Sequence, residues 1–181
     1  MDAAEPAEIA ATRRWLERAV IGLNLCPFAK AVHVKRQVRF VLSEARDTEA
    51  LREDLQRELE RLRATPADEI DTTLIVHPHV LGDFFDYNDF LENADAAVEA
   101  LDLQGEIQVA SFHPDYQFAG TMPDDISNYT NRSPYPTLHL LREASIDRAV
   151  DAFPDPDVIV ERNVKTLDAL GHAGWAKLFA D

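Results

Sequence analysis

The sequence is poor in cysteine and lacks any long run of apolar residues. Its single cysteine, Cys26, excludes an internal disulfide and any paired-cysteine metal or redox site. No stretch reaches the roughly 18 apolar residues needed to span a bilayer, which excludes a membrane-spanning protein. The first residues also lack the basic and apolar regions of a secretory signal. We therefore expect a cytoplasmic protein.

Basic residues are scarce as well. The chain has 18 Lys and Arg against 33 Asp and Glu, and its formal net charge is −15. Binding to nucleic acid depends chiefly on neutralising phosphates, which so acidic a chain opposes. Neither nucleic acid nor a membrane is therefore an expected partner. With 181 residues, 46% of them apolar, the chain suits a single domain over 1–181 with a substantial core.

Hydrophobic periodicity predicts alternating helices and strands along the chain. Apolar residues recur near every 3.6 positions in the predicted helices, and they alternate or run together in the predicted strands. In chain order the pattern predicts helix 6–21, strand 34–42, helix 47–64, strand 72–76, helix 83–101, strand 106–112, strand 137–141 and helices 145–153 and 155–170. The predicted fold is α/β: a mixed sheet of about four strands covered by helices, with extra helices at both ends.

The connections between the strands predict their directions. Two successive strand–helix–strand units favour three parallel strands with right-handed crossovers. A proline-rich loop over 113–136, rather than a helix, leads to the fourth strand, so antiparallel pairing is the simpler expectation, although a loop of this length also permits a crossover. Such long loops are commonly lids or binding loops. The ends of the second and third strands and the start of the fourth then share one edge of the sheet.

Polar residues cluster in the segments expected at this edge. His77, His113 and His139 are candidate catalytic residues, because ligands bind outside the carboxyl ends of strands in open sheets and imidazole exchanges protons near neutral pH. The predicted helix N-termini near Asp47 and Asp83 point to the same edge and favour an anion there. The candidate substrate-binding residues are His79, Arg132, Tyr135 and Arg142.

Simpler explanations exist for the same residues. A histidine before proline at a strand end can hydrogen-bond a turn carbonyl, and Arg132 can tie down the long loop. A further alternative is a divalent metal ion held by His77, His79 and His113, although no complete metal-binding spacing is present. Cys26 is expected near the amino end of the first strand, opposite the histidines, which disfavours a Cys–His nucleophile pair.

Four segments of the chain carry a resemblance to a known family. They are 22–30 (GLNLCPFAK), 77–79 (HPH), 111–118 (SFHPDYQF) and 131–143 (NRSPYPTLHLLRE). Together they are similar to the bacterial family catalogued as domain of unknown function 1415 (DUF1415), and the similarity covers essentially the whole chain. The resemblance implies a cytoplasmic bacterial protein and transfers no catalytic residue.

Two functions follow from this pattern of residues. The first is an enzyme acting on a small anionic metabolite, with a histidine as general acid or base and Arg132 holding a carboxylate or phosphate. The second is a non-catalytic binding domain that senses a ligand or a metal through the same pocket. An enzyme needs an imidazole within hydrogen-bond reach of a reacting group, whereas a sensor needs only contacts and a movable loop.

Overall fold

The four apolar runs of the sequence form a single mixed sheet. The structure, a computed structural model, describes residues 3–152 and 155–180. Its strands lie in the order β1-β2-β4-β3, and their bounds are β1 (Val38–Leu42), β2 (Thr72–Val76), β3 (Ile107–Phe112) and β4 (Thr137–Arg142). β1 is parallel to β2, and β4 lies antiparallel between β2 and β3. The first three strands therefore run in one direction, as their connections predict.

The helices begin close to the positions that their capping residues predict. The Asp47 carboxylate accepts a hydrogen bond from Ala50 N at 2.8 Å, and the Asp83 carboxylate accepts one from Phe85 N at 2.9 Å. Gly171, with a φ of 68°, interrupts the last helix where the sequence predicts its end. The helical segments are α1 (Ala7–Trp15), a π-helix (Leu16–Ile21), α2 (Ala29–Val34), α3 (Thr48–Ala64), α4 (Phe84–Ala100), a 3-10 helix (Ile126–Asn131), α5 (Glu143–Ala152) and α6 (Pro156–Lys177).

Alternate side chains of the sheet enter two different cores. One face carries Ile75, Leu138 and Leu140, and it packs against the leucine stripe of α3 and the apolar face of α4. The opposite face carries Phe40 and Phe112, and it packs against α1, the π-helix and the C-terminal residues. Because side chains alternate along a strand, this two-sided covering requires strands that are apolar on both faces. Among the described residues, no helix is both long and apolar enough to cross a bilayer.

The first strand is shorter than its sequence pattern predicts. The prediction of a strand over 34–42 is wrong for its first four residues, because Val34 ends α2. Arg36 then adopts a φ of 58°, in the left-handed region, and this turns the chain into β1. β1 lies at an edge of the sheet.

The helix after β4 also begins earlier than predicted. α5 starts at Glu143, directly after the strand. Ser145, where the sequence predicts that this helix begins, donates its hydroxyl to the Asp71 carboxylate at 2.6 Å. The predicted end of this helix at Phe153 lies outside the described residues.

Arg142 lies at the far end of β4, away from the edge where β2 ends. Its guanidinium donates hydrogen bonds to the carbonyl oxygens of Leu62, Thr65 and Ile70. These carbonyls belong to the last turn of α3 and to the chain that follows it, where helices leave acceptors unpaired. The structure thus separates this candidate substrate-binding residue from His77 and His113 and uses it to close α3 against the sheet.

Replacing Arg142 with alanine is expected to lower the free energy of unfolding by about 2 kcal/mol, because charge-assisted hydrogen bonds to partly buried carbonyls are lost. Urea unfolding of both proteins measures this difference. Arg52→Ala is the control, since Arg52 is half-exposed and its one ion pair among the described residues is with Glu49, one turn earlier. Its loss should cost no more than about 0.5 kcal/mol. Equal effects of the two substitutions would contradict the bracing role.

Candidate functional site

His77 and His113 lie at the shared edge where β2 and β3 end, and both pack against Tyr87 of α4. Their ring centroids are 5.8 Å and 5.0 Å from that of Tyr87, and both imidazoles are fully buried. The Tyr87 hydroxyl donates to Thr137 O at 2.7 Å and accepts from Phe112 N at 3.0 Å. It therefore joins the end of β3 to the start of β4, directly beside the two histidines.

Backbone hydrogen bonds determine which nitrogen of each imidazole carries the proton. His77 Nδ1 donates to Val80 O at 3.1 Å, and His113 Nε2 donates to Leu81 O at 3.0 Å. The other His113 nitrogen, Nδ1, accepts from Asp115 N at 3.0 Å. Because a carbonyl oxygen only accepts, each ring holds its proton on the nitrogen that faces the carbonyl. Both rings thus tie down the turn after β2, as the simpler explanation from the sequence proposes.

Burial keeps these two imidazoles neutral at physiological pH. It lowers the pKa of His77 to about 4, while the bond to Val80 opposes this shift and the neighbouring His113 adds to it. Burial likewise lowers the pKa of His113. His77 Nε2 has no hydrogen-bond partner among the described residues, yet the ring is 0% exposed. His77 Nε2 is therefore unprotonated and could act as a base, but a substrate cannot reach it because the ring is buried.

His139 lies inside the sheet rather than at its edge. It is the third residue of β4 and stands opposite Leu74 and Ala110 on the neighbouring strands. The Thr72 hydroxyl donates to Leu140 O at 2.7 Å, so it accepts from His139 Nε2 at 2.6 Å. Burial lowers the pKa of His139 to about 4. The alternation of side chains along β4 directs this ring to the face opposite Leu138, away from Tyr87.

The other edge candidates lie apart from this cluster. His79 is on the surface, where its Nε2 is 3.4 Å from the Glu44 carboxylate. The Tyr135 carbonyl accepts hydrogen bonds from two neighbouring hydroxyls and so forms part of the turn before β4. Neither residue contacts the buried histidines through a hydrogen bond.

The structure does not bring the proposed metal ligands together. His77 and His113 are buried, His79 is on the surface, and both nitrogens of His113 are already hydrogen-bonded. Within residues 3–152 and 155–180, no group of three or more His, Cys, Asp or Glu side chains is arranged to hold a metal ion. Cys26 is partly buried on the face of the sheet that α1 and the π-helix cover, where it packs against the apolar cluster that contains Trp15.

A cavity of about 370 Å³ lies next to the histidine edge, between α1, the loop 113–136 and the end of α6. Pro114, which directly follows His113, forms part of its wall. Four of its lining residues are aromatic and two are arginines, and none is acidic. The lining residues are Ala11, Arg14, Trp15, Pro114, Tyr129, Arg132, Ser133, Pro134, Trp175 and Phe179.

Arg132 both braces the loop and lines this cavity. Its Nε donates to Tyr116 O at 3.0 Å, Nη2 donates to Pro123 O, and the guanidinium lies 4.6 Å from the centre of the Tyr129 ring. These contacts match the sequence-based alternative in which Arg132 ties down the loop. Its Nη1 donates no hydrogen bond to any described residue, so part of the guanidinium stays available to a ligand.

Two adjacent residues of α1 supply further unused donors. Arg14 is exposed, and no hydrogen bond or ion pair links it to a described residue. Trp15 is only 2% exposed, and its indole Nε1 has no acceptor in the described part of the chain. A buried N–H group without a partner is rare in folded proteins and costs free energy. The exposed Arg14 guanidinium is therefore the donor that α1 presents to the cavity, because the Trp15 N–H group is itself buried.

The C-terminal turns of α6 hold the other side of the cavity in place. His172 Nε2 donates to Asp124 O at 2.8 Å, and the Trp175 ring packs edge-on against Tyr129 at 5.2 Å. The break at Gly171 gives these turns a direction of their own. Sequence reasoning missed this cavity, because its walls come from opposite ends of the chain. The one available signal was the four-residue spacing of Trp175 and Phe179, which predicts that they lie on one side of the chain's end; Phe179 itself lies just after α6.

Comparison with known proteins identifies a family and no further relative. The family model described as protein of unknown function (DUF1415) matches residues 7–177. Searches of the curated proteins and of the solved structures gave no match. The matched region contains the histidine edge and all of the cavity lining except Phe179.

Proposed function

The chain belongs to this family of unknown function, and we propose that it binds a small organic anion in the cavity between α1, the loop 113–136 and α6. The observation that carries the proposal is the lining: two arginines and four aromatic side chains with no carboxylate, in a protein of net charge −15. The expected ligand joins a carboxylate or phosphate group to a flat apolar part.

Charge supports an anionic ligand at this place. The overall field of the protein repels anions, so binding requires local donors that outweigh it. Arg14 and the free part of Arg132 are such donors, and guanidinium groups form strong charge-assisted hydrogen bonds with carboxylates and phosphates. The nearest aromatic rings suit the apolar part of the ligand. A volume of about 370 Å³ also falls within the usual range for small-molecule sites.

Binding fits the geometry better than acid–base catalysis. None of His77, His113 and His139 lines the cavity, and one nitrogen of each ring bonds a backbone carbonyl or the Thr72 hydroxyl. The one aliphatic hydroxyl in the lining, that of Ser133, donates its proton to Tyr135 O at 2.6 Å. A general base must reach the reacting group directly or through one water. We therefore place a ligand-binding role before an enzymatic one.

Intrinsic fluorescence tests this proposal directly, because the chain has two tryptophans and both line the cavity. Titration with phenyl phosphate or benzoate at low salt is expected to give a saturable change in emission. Arg14→Ala is expected to weaken binding about tenfold, since it removes a charge-assisted contact. Its melting temperature should not change, because Arg14 is exposed and unpaired among the described residues.

Two controls separate this site from general charge effects. Arg52→Ala removes the same charge from α3, outside the cavity lining, and should bind like the parent protein. Benzyl alcohol offers a ring without the negative charge and should bind much more weakly. The proposal fails if no anion gives a saturable signal, or if Arg14→Ala and Arg52→Ala bind with the same affinity.

A further inference from the structure

The outer side of β1 is an unpaired sheet edge. β1 ends the strand order, and its one neighbour is β2. Ser43 N, directly after β1, donates to Val76 O at 2.8 Å. Because the backbone groups of successive residues point to opposite sides of a strand, every second residue of β1, counted back from Ser43, also faces β2. The N–H and C=O groups of Val38, Phe40 and Leu42 therefore point outward. No hydrogen bond among the described residues uses these outward groups.

β1 lacks the features by which proteins usually protect a sheet edge. Exposed edges are commonly blocked by proline, a bulge, or a charged side chain that prevents pairing. Four of the five β1 residues, in the sequence VRFVL, are apolar. The one charged residue, Arg39, donates to the Glu58 carboxylate of α3 at 2.9 Å and so lies against the protein's own helix. The backbone of β1 is free to accept another strand.

The charges at this edge favour one particular pairing of two copies. Residues 26–43 contain no Asp or Glu and include Lys30, Lys35, Arg36 and Arg39, whereas the whole chain carries −15. A two-fold interface brings the same segment of both copies together, so these basic side chains need an acidic side chain of the second copy beside them. Glu44 directly follows it, and its side chain is 72% exposed. Arg36 is also exposed, and no described residue pairs with its guanidinium.

We propose that β1 pairs antiparallel with β1 of a second copy, with the two-fold axis at Phe40. In this register Val38 lies opposite Leu42 of the second copy, and Phe40 lies opposite Phe40. All three outward residues then form hydrogen-bonded pairs, each of which exchanges two backbone bonds. Just beyond the strand ends, Arg36 lies opposite Glu44 of the second copy, and symmetry repeats this contact.

Neighbouring registers lose this complementarity. Sliding the second copy by two residues in one direction places Arg36 opposite Leu42, and sliding it in the other direction places Arg36 opposite Arg46. Both alternatives also leave part of the outward backbone unpaired. An open depression beside the start of the strand leaves room there, and it is lined by Arg13, His33, Val34, Arg36 and Val38. The resulting dimer has one continuous sheet across both copies and is independent of the proposed ligand site.

Charge reversal tests the register without disturbing the fold, because Arg36 and Glu44 are both exposed. Sedimentation analysis of the parent protein is expected to show a concentration-dependent dimer. Arg36→Glu or Glu44→Arg alone converts two attractive contacts into repulsive ones and should weaken dimerisation about tenfold. The double variant Arg36→Glu/Glu44→Arg should restore dimerisation to near the parent value. Lys165→Glu, which makes the same charge change on α6, should not alter it beyond a small general repulsion.

Amide hydrogen exchange supplies a second readout. The outward amides of Val38, Phe40 and Leu42 are expected to become protected as protein concentration rises. A parent protein that stays monomeric at high concentration would overturn the proposal. So would a dimer that ignores both single reversals, or one that protects amides elsewhere. If the parent is monomeric and an acidic peptide protects the three amides instead, the edge serves a different partner and the proposal also fails.

Discussion

Replacing Tyr87 with phenylalanine is expected to lower the free energy of unfolding by about 3 kcal/mol, although it removes a single oxygen atom. That oxygen donates to Thr137 O and accepts from Phe112 N, and the tyrosine side chain is 0% exposed. Its loss leaves a buried N–H group and a buried carbonyl without a partner. Each such orphan costs about 1–3 kcal/mol. Equilibrium unfolding in urea measures the difference.

Tyr116→Phe is the matched control for this prediction. Tyr116 is a partly buried tyrosine of the same core, and its hydroxyl forms no hydrogen bond with the described residues. Its replacement should change stability by no more than about 0.5 kcal/mol. If Tyr87→Phe costs no more than the control, the hydroxyl does not join β3 to β4 in solution.

Acidification from about pH 7 to pH 4.5 is expected to destabilise the protein by about 2–3 kcal/mol through His77 alone. The pKa of this buried ring is about 4 in the folded protein, against an ordinary value of 6.5. Between these two values the unfolded chain binds a proton that the folded chain does not. Stability therefore falls as pH decreases through this window. The lowered pKa of His139, also about 4, acts in the same direction.

His77→Asn tests the contribution of this ring. The asparagine amide can still donate to Val80 O, but it does not titrate, so the stability of the variant should depend less steeply on pH than that of the parent. The quantity to compare is the difference in unfolding free energy between the two proteins at each pH between about 7 and 4.5, because the contributions of all other titrating groups cancel in this difference. His172→Asn controls for the loss of one histidine, since His172 lies on the surface. Parallel curves for the parent and His77→Asn would contradict the buried, neutral state.

The edge shared by His77 and His113 could be predicted because its causes are local or follow general rules of chain connection. Apolar periodicity predicts β2, β3 and the intervening helix, and Asp83 caps that helix through its own side chain. Right-handed crossovers then place the ends of the first three strands together. The insertion of β4 between β2 and β3 does not alter this result, because it leaves the direction of β3 unchanged.

The chemical state of that edge depended on tertiary packing. A sequence pattern records that His77 follows a strand, but only the layer of α4 above it determines that Tyr87 covers the ring and that burial keeps it neutral. The same holds for Arg142, whose acceptors lie on α3, far earlier in the chain.

The chain's own sequence therefore determined most of its strands and longer helices and the common direction of the first three strands, since hydrophobic period, capping and crossover handedness act over short segments. Only the tertiary structure decided where the cavity lies. Arg14 and Trp15 meet Trp175 because α1 and the end of α6 both cover the second face of the sheet. Hydrophobic burial is non-directional, so an apolar face predicts that it will be covered without predicting which distant segment covers it.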